Sequence, residues 1–395
     1  MFHKLQSKIH NHVQHSQASN QLKSGIYFAN WSVYARKYFV QDLPAEHLTH
    51  VFYAFIGMDT STGKVKFTDE WCDIQMPLDS INGNGKVTGS LQQLYQLKQR
   101  NRKLKVIMSI GGWGTSDSFT AIMSDASKAR NFVLSSIAMV KEYGFDGIDI
   151  DWEYPRNKTE ARQLVELLYQ LRVELHSFSP CMVLTFAAPG GDDNIQILDL
   201  KQMDQYLSFW NVMCYDFNGS GWSSKTGYHS NLFGSNGDNN LNCADIIGKY
   251  TKSGIPSNKL MLGMPLYART FELSNASNSG IGQPFTRAGG EGTADYKKLA
   301  TDIEKFDSRK VSAYSYNPSN GKWSGYDNPQ SARIKAQWSK SSNLAGGFWW
   351  DSAGDEISNE RSLVKNYVDQ LGGIQSLDTS LNHLDYPSTF LKPLQ

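Results

Sequence analysis

Short runs of apolar and β-branched residues recur along the chain. Each is closed by a Gly, a Pro or a polar turn, and most are followed by a stretch of helical periodicity, the pattern of repeated βα units. Eight such runs stand at Gly25–Asn30, His50–Phe55, Leu104–Ile110, Gly147–Trp152, Met182–Ala187, Phe209–Tyr215, Lys259–Pro265 and Ala345–Trp350. The helical pattern is clearest over Ala129–Tyr143, with Phe132, Val133, Ile137 and Val140 on one face, and over Glu160–Ser177, with Leu164, Leu167, Leu168 and Leu171. Eight units predict an α/β fold closed into a (β/α)8 TIM barrel, in preference to an open doubly wound sheet.

One interval does not fit a βα connection. The stretch from Arg269 to Gln330 is too long for one, and within it Val311–Tyr316 reads as a strand and Tyr296–Lys305 as a short helix. A small α+β insertion domain over 269–330, after the seventh strand, accounts for both. The barrel then comprises 23–268 and 331–395, with the part beyond Gly373 wrapping the surface. The first 22 residues are polar and rich in Gln, His and Ser, which predicts a flexible segment.

Composition narrows the partners. Thirty-nine basic against 38 acidic side chains give a formal net charge of +1, which offers no electrostatic footprint for nucleic acid or an anionic membrane, so a neutral partner is expected. No run of ~18 apolar residues could span a bilayer, and the N-terminus lacks the apolar core of a signal peptide. A soluble monomer, cytoplasmic or exported by a non-classical route, is the expectation. Cys72, Cys181, Cys214 and Cys243 form no C-x-x-C pair, so free thiols are expected, without a zinc site or other cofactor. Ten Trp and nineteen Tyr are compatible with core packing, but also supply the flat rings on which sugars stack.

The segment with most chemistry is Phe145-Asp-Gly-Ile-Asp-Ile-Asp-Trp-Glu-Tyr-Pro155. Side chains two apart on a strand share a face, so Asp149, Asp151 and Glu153 point one way and Ile148, Ile150 and Trp152 the other. In a barrel the acidic face looks inward, and Pro155 leaves Glu153 at the carboxyl end, where barrel enzymes assemble their sites. Three carboxyls stacked ~7 Å apart cannot all ionise in a poorly hydrated interior, so a pKa must rise. Glu153, at the mouth, is then fitted to donate a proton. A calcium site is the competing reading, but calcium loops need a turning backbone and this spacing is that of an extended strand.

Asp146-Gly-Ile-Asp-Ile-Asp-Trp-Glu153 matches the D-x-x-D-x-D-x-E signature of glycoside hydrolase family 18, and the chain resembles the fungal secreted-type chitinases of that family. The resemblance extends to Ser109-Ile-Gly-Gly112 with Trp113, Met213-Cys-Tyr-Asp216, Gly263-Met-Pro-Leu-Tyr267 with Arg269, Tyr326-Asp-Asn-Pro-Gln330, and Trp349-Trp350-Asp351. It implies a chitinase that cleaves β-1,4-linked N-acetylglucosamine polymers with retention, the substrate's acetamido group replacing an enzyme nucleophile. Under it Glu153 is the acid/base, Asp151 takes the acetamido N–H, Tyr215 fixes the acetyl oxygen and Asp149 supports Asp151. Tyr27, Phe55, Trp113, Met213, Asp216, Tyr267, Arg269 and Trp350 would line the sugar subsites, and chitin and its oligosaccharides are the implied partners.

Several positions keep a structural alternative: Met213 as core packing, Arg269 as a surface ion pair, and Asp146 as a hydrogen-bonding residue at the strand start. The segment Arg287–Tyr296 departs from the family pattern in lacking a Trp before Asp295-Tyr296. Two other activities compete within the fold. A lectin-like barrel would have lost its acid, whereas Glu153 is present; an endo-β-N-acetylglucosaminidase acting on N-glycans would not need the insertion that walls a linear groove.

Overall fold

Eight parallel strands close on themselves in the computed structural model, which describes residues 21–83, 85–234, 241–275, 277–299, 303–356 and 360–391. They are β1 (Lys23–Ala29), β2 (His50–Met58), β3 (Lys105–Gly111), β4 (Gly147–Asp151), β5 (Val183–Ala188), β6 (Phe209–Val212), β7 (Leu260–Pro265) and β8 (Gly346–Trp350). Each pairs in parallel with the next, and β8 pairs with β1 to complete the ring. The expected flexible segment lies outside the described residues except for Gln21 and Leu22; Leu22 donates its N–H to the Ser376 carbonyl at 3.1 Å.

Alternation along the strands divides the core in two. Ile148 and Ile150 of β4 pack outward with Met108, Ile110, Leu184 and Phe186 against the helices, while Tyr27, Phe52, Ile107, Phe209, Met261 and Phe348 fill the barrel interior. Each such side chain contributes roughly 1.5–3 kcal/mol on burial. Helix Ala126–Tyr143 begins before the apolar pattern does because Asp125 caps the Ser127 and Lys128 N–H groups, and it stops where Gly144 turns left-handed at φ 78°. Asn157 caps helix Lys158–Phe178 in the same way.

The insertion departs from β7 at once. Its antiparallel sheet runs in the order Phe285–Asp295, Tyr267–Leu273, Lys322–Tyr326, Ser312–Asn317, Glu304–Asp307. Of the helix expected over Tyr296–Lys305, the described residues show a 3-10 turn, Tyr296–Lys298, and the strand Glu304–Asp307; 300–302 lie outside the described residues. Pairing with Ser312–Asn317 decided that segment, a tertiary contact that local periodicity does not encode. Arg36 ties the insertion to the barrel, lying 3.0 Å from Asp295 and 2.7 Å from Asp351.

The C-terminal segment closes the underside of β3 and β4. The Asn382 amide donates to the carbonyls of Lys98 and Leu104, and the His383 N–H donates to Asp146 at 2.8 Å. Asp146 also accepts the Val106 N–H and pairs with the buried Lys98 ammonium at 2.8 Å, so it holds structure together and has no access to a ligand.

Candidate active site

The acidic ladder of β4 faces the barrel interior. Register places Ser109 of β3 and Thr185 of β5 beside Asp149, and both hydroxyls donate to it, at 2.8 and 2.6 Å. From across the barrel come the Tyr27 hydroxyl at 2.8 Å and the Asn211 amide at 3.3 Å. Burial pushes the Asp149 carboxyl up, and these four donors oppose that shift by favouring its ionised form. No further donor is needed to satisfy it.

Asp151 stands one pleat nearer the mouth and is equally enclosed, yet its Oδ1 has no partner among the described residues. Burial raises its pKa well above the usual carboxylate range, and the charges of Glu153 and Asp149 add to the shift. Glu153 lies two residues beyond the end of β4, which is shorter by one residue than the sequence pattern indicated. It accepts the Tyr154 hydroxyl at 2.9 Å. Burial, reinforced by the charge of Asp216 and opposed by the Tyr154 bond, raises its pKa to about 7. A carboxyl poised there can give up and regain a proton near neutrality.

Close packing at the end of β3 fixes the neighbouring wall. The Gly112 N–H donates to the Asp151 carbonyl at 2.9 Å. A Cβ on Gly112 would fall 2.6 Å from the Phe55 ring, and one on Gly111 2.2 Å from the Asp151 carbonyl. The Ser-Ile-Gly-Gly run therefore exists at least partly to let these groups approach.

Beyond β6, Tyr215 and Asp216 continue toward the mouth, with Asp216 in a left-handed conformation at φ 63°. Asp216 accepts the Tyr267 hydroxyl at 2.6 Å and is gripped by Arg269. The buried His229 touches the same group. Its Nε2 faces the Tyr267 carbonyl at 3.2 Å, and its Nδ1 lies 3.5 Å from Asp216 Oδ1. Arg269 is thus an ion-pair residue of this cleft and not of the outer surface.

The aromatic candidates separate into two groups. Phe55 stacks on Trp350 with centroids 5.6 Å apart, and Met213 and Tyr215 pack in the same interior cluster. Trp349 turns outward against Tyr367, as strand alternation requires. Tyr27, expected among the sugar contacts, is 2% exposed with its hydroxyl on Asp149; it braces the ladder from behind and offers no face to a sugar. Trp113 is 81% exposed and touches no other ring among the described residues.

Residues 23–355 match the family Glycosyl hydrolases family 18. The chain belongs to it. Among relatives of this family 18 enzyme, Endochitinase 1 of Metarhizium robertsii is 37% identical over 93% of this chain and 88% of its own length. Sporulation-specific chitinase 2 of Saccharomyces cerevisiae is 36% identical over 93% of this chain and 81% of its own. A mutant chitinase from Cycas revoluta, solved in complex with (GlcNAc)4, superposes with a TM-score of 0.76 at 30% identity, covering 89% of this chain and all of the other. The family 18 enzyme is accordingly a glycoside hydrolase.

Several residues of the family 18 site escaped the sequence reading. Trp31, 44% exposed, lies 6.3 Å from Trp350, and Trp222, 56% exposed, lies 4.8 Å from the Arg269 guanidinium. Both are aromatic residues in loops after the carboxyl ends of barrel strands, a positional signal that would have found them. Thr185, Asn211 and His229 bear no local mark, since strand pairing places the first two and the loop after β6 carries the third.

Proposed function

We propose that the enzyme is a chitinase that hydrolyses β-1,4 bonds between N-acetylglucosamine units with retention of configuration. The relatives' names support the substrate class, as do the Cycas revoluta chitinase complexes with (GlcNAc)3 and (GlcNAc)4. The mechanism rests on one observation: among the described residues, no carboxylate of the site is free to act as nucleophile. Asp149 is saturated by four donors, Asp216 is clamped by Arg269 and Tyr267, and Asp151 is pushed strongly toward its protonated form. Glu153 remains, with a pKa suited to an acid.

The nucleophile is then the acetamido oxygen of the sugar on the non-reducing side of the cut. Its lone pair forms the bond to C1 as the C1–O bond to the leaving sugar breaks, and Glu153 delivers its proton to the departing oxygen. The resulting oxazolinium ion is opened by water at C1, whose proton returns to Glu153. Two inversions give net retention.

The unpartnered Oδ1 of Asp151 is placed to receive the acetamido N–H, a buried acceptor that a substrate donor would satisfy. Tyr215 supplies a hydroxyl toward the acetyl oxygen, and Trp350, backed by Phe55, forms the floor for the reacting sugar. Asp216, Tyr267, Arg269 and the exposed faces of Trp31, Trp113 and Trp222 extend the subsites on either side. Incubation with (GlcNAc)6 and early NMR analysis of the products tests this reading: β-anomer is expected first, and initial release of α-anomer would overturn it.

A further inference from the structure

At the opposite mouth of the barrel, the amino ends of β1, β3 and β7 frame a cavity of about 390 Å³. Its lining is cationic. Lys23, Lys105, Arg172 and Lys259 face it together with one lining carboxylate, Asp378. Lys105 lies 3.3 Å from Asp378 and Lys259 lies 2.7 Å from Asp204, so these two are paired.

The other two cations are not. Arg172 is buried and donates to the carbonyls of Tyr206 at 2.7 Å and Met182 at 2.8 Å and to the Ser208 hydroxyl at 2.9 Å, all of them neutral acceptors. Its charge stays uncompensated. The Lys23 ammonium forms no hydrogen bond or contact ion pair with any described residue; it lies over the Phe209 ring at 5.6 Å and feels the Asp378 charge only at longer range. Burial lowers the pKa of both groups. Asp378, the one carboxylate lining the cavity, attracts Lys23 as well as Lys105, so the lining carries more positive than negative charge, and such an excess around a largely buried guanidinium is costly unless a ligand supplies negative charge. A purely structural plug would more cheaply be apolar or internally paired.

We infer that this cavity binds the phosphate group of a small molecule, either inorganic phosphate or a phosphomonoester. A phosphate anion matches the excess of Lys23, Lys105 and Arg172 over the single carboxylate Asp378, and its oxygens accept from both an ammonium and a guanidinium edge. The volume admits a phosphate with a small organic substituent. A polyanionic polymer would not enter it. Because the cavity lies at the far end of the barrel from Glu153, occupancy stabilises the fold by mass action and leaves the hydrolytic chemistry alone.

Calorimetric titration and thermal unfolding of the whole chain test this, with inorganic phosphate and glycerol 3-phosphate as probes and ionic strength held constant with chloride. Saturable binding with a rise in Tm is expected, and preference between the two probes tells free phosphate from an organic ester. Lys23→Met should weaken binding about tenfold or more, Lys23→Arg should retain it, and both should hydrolyse (GlcNAc)6 at the parent rate. Absence of saturation for both probes at millimolar concentration in the unaltered chain overturns the inference, and so does undiminished affinity in a folded Lys23→Met variant.

Discussion

Arg269 grips Asp216 at two points, with its Nε 2.7 Å from Oδ1 and a terminal nitrogen 2.6 Å from Oδ2. Burial alone would raise the Asp216 pKa, but the hydrogen bonds and charges of His229 and Arg269 outweigh it and hold the carboxyl well below its usual range. Asp216 is therefore anionic at neutral pH. Its charge is one of the reasons that Glu153 keeps a proton near pH 7.

Asp216→Asn should shift the alkaline limb of the pH–rate profile toward lower pH. Glu153 must be protonated to donate, so activity falls as pH rises through its pKa of about 7. Removing a nearby negative charge makes ionisation easier and moves that fall downward. A kcat/KM profile from pH 4 to 9 reads the shift directly; an unmoved limb would show that the two carboxyls do not communicate.

Glu153→Gln removes a proton and leaves the shape of the site. Its kcat on (GlcNAc)6 should drop by about 10²–10⁴-fold or more, since an alkoxide leaving group is poor without protonation. Titration calorimetry with (GlcNAc)4 should still detect binding. Turnover close to that of the parent enzyme would exclude Glu153 as the acid.

The same substitution should stabilise the fold, and more so at high pH. A carboxyl whose pKa is raised by folding favours the native state while it is protonated, and that contribution disappears as pH rises through about 7. Gln has no charge to bury. The Tm of Glu153→Gln should exceed that of the parent by a few degrees at pH 8, with a smaller gap at pH 5. Equal gaps at the two pH values would place the effect elsewhere than in ionisation.

Asp151→Asn should reduce the hydrolysis of N-acetylated oligosaccharides on the order of 10²–10³-fold, because an amide can turn its NH2 to the place where a carboxyl oxygen receives the acetamido N–H. A thiazoline that mimics the oxazolinium ion should inhibit the parent enzyme competitively. Steady-state kinetics with and without it provide the check, and indifference to a high thiazoline concentration would count against participation of the acetamido oxygen.

Lys98→Met tests the underside of the barrel. Lys98 and Asp146 form a fully buried pair, and removing the cation leaves an uncompensated carboxylate beneath β3 and β4. A loss of about 3–5 kcal/mol in urea unfolding is expected. A loss within the noise of the measurement would mean that the Val106 and His383 N–H groups satisfy Asp146 by themselves.

The sequence by itself determined the eight strands, the closed barrel and the direction of the acidic ladder, because each rests on periodicity within a few consecutive residues. Asp149, Asp151 and Glu153 could be set on one face before any partner was known. The tertiary structure decided which groups answer that ladder. Tyr27 reaches Asp149 across 122 positions of chain and Asn211 across 62, and Arg269 reaches Asp216 from a strand of the insertion. It also decided that Tyr27 is a buried brace and that Glu304–Asp307 is strand where helix was expected. Such contacts depend on ring closure and on the partner strand presented, quantities that no local run of residues contains.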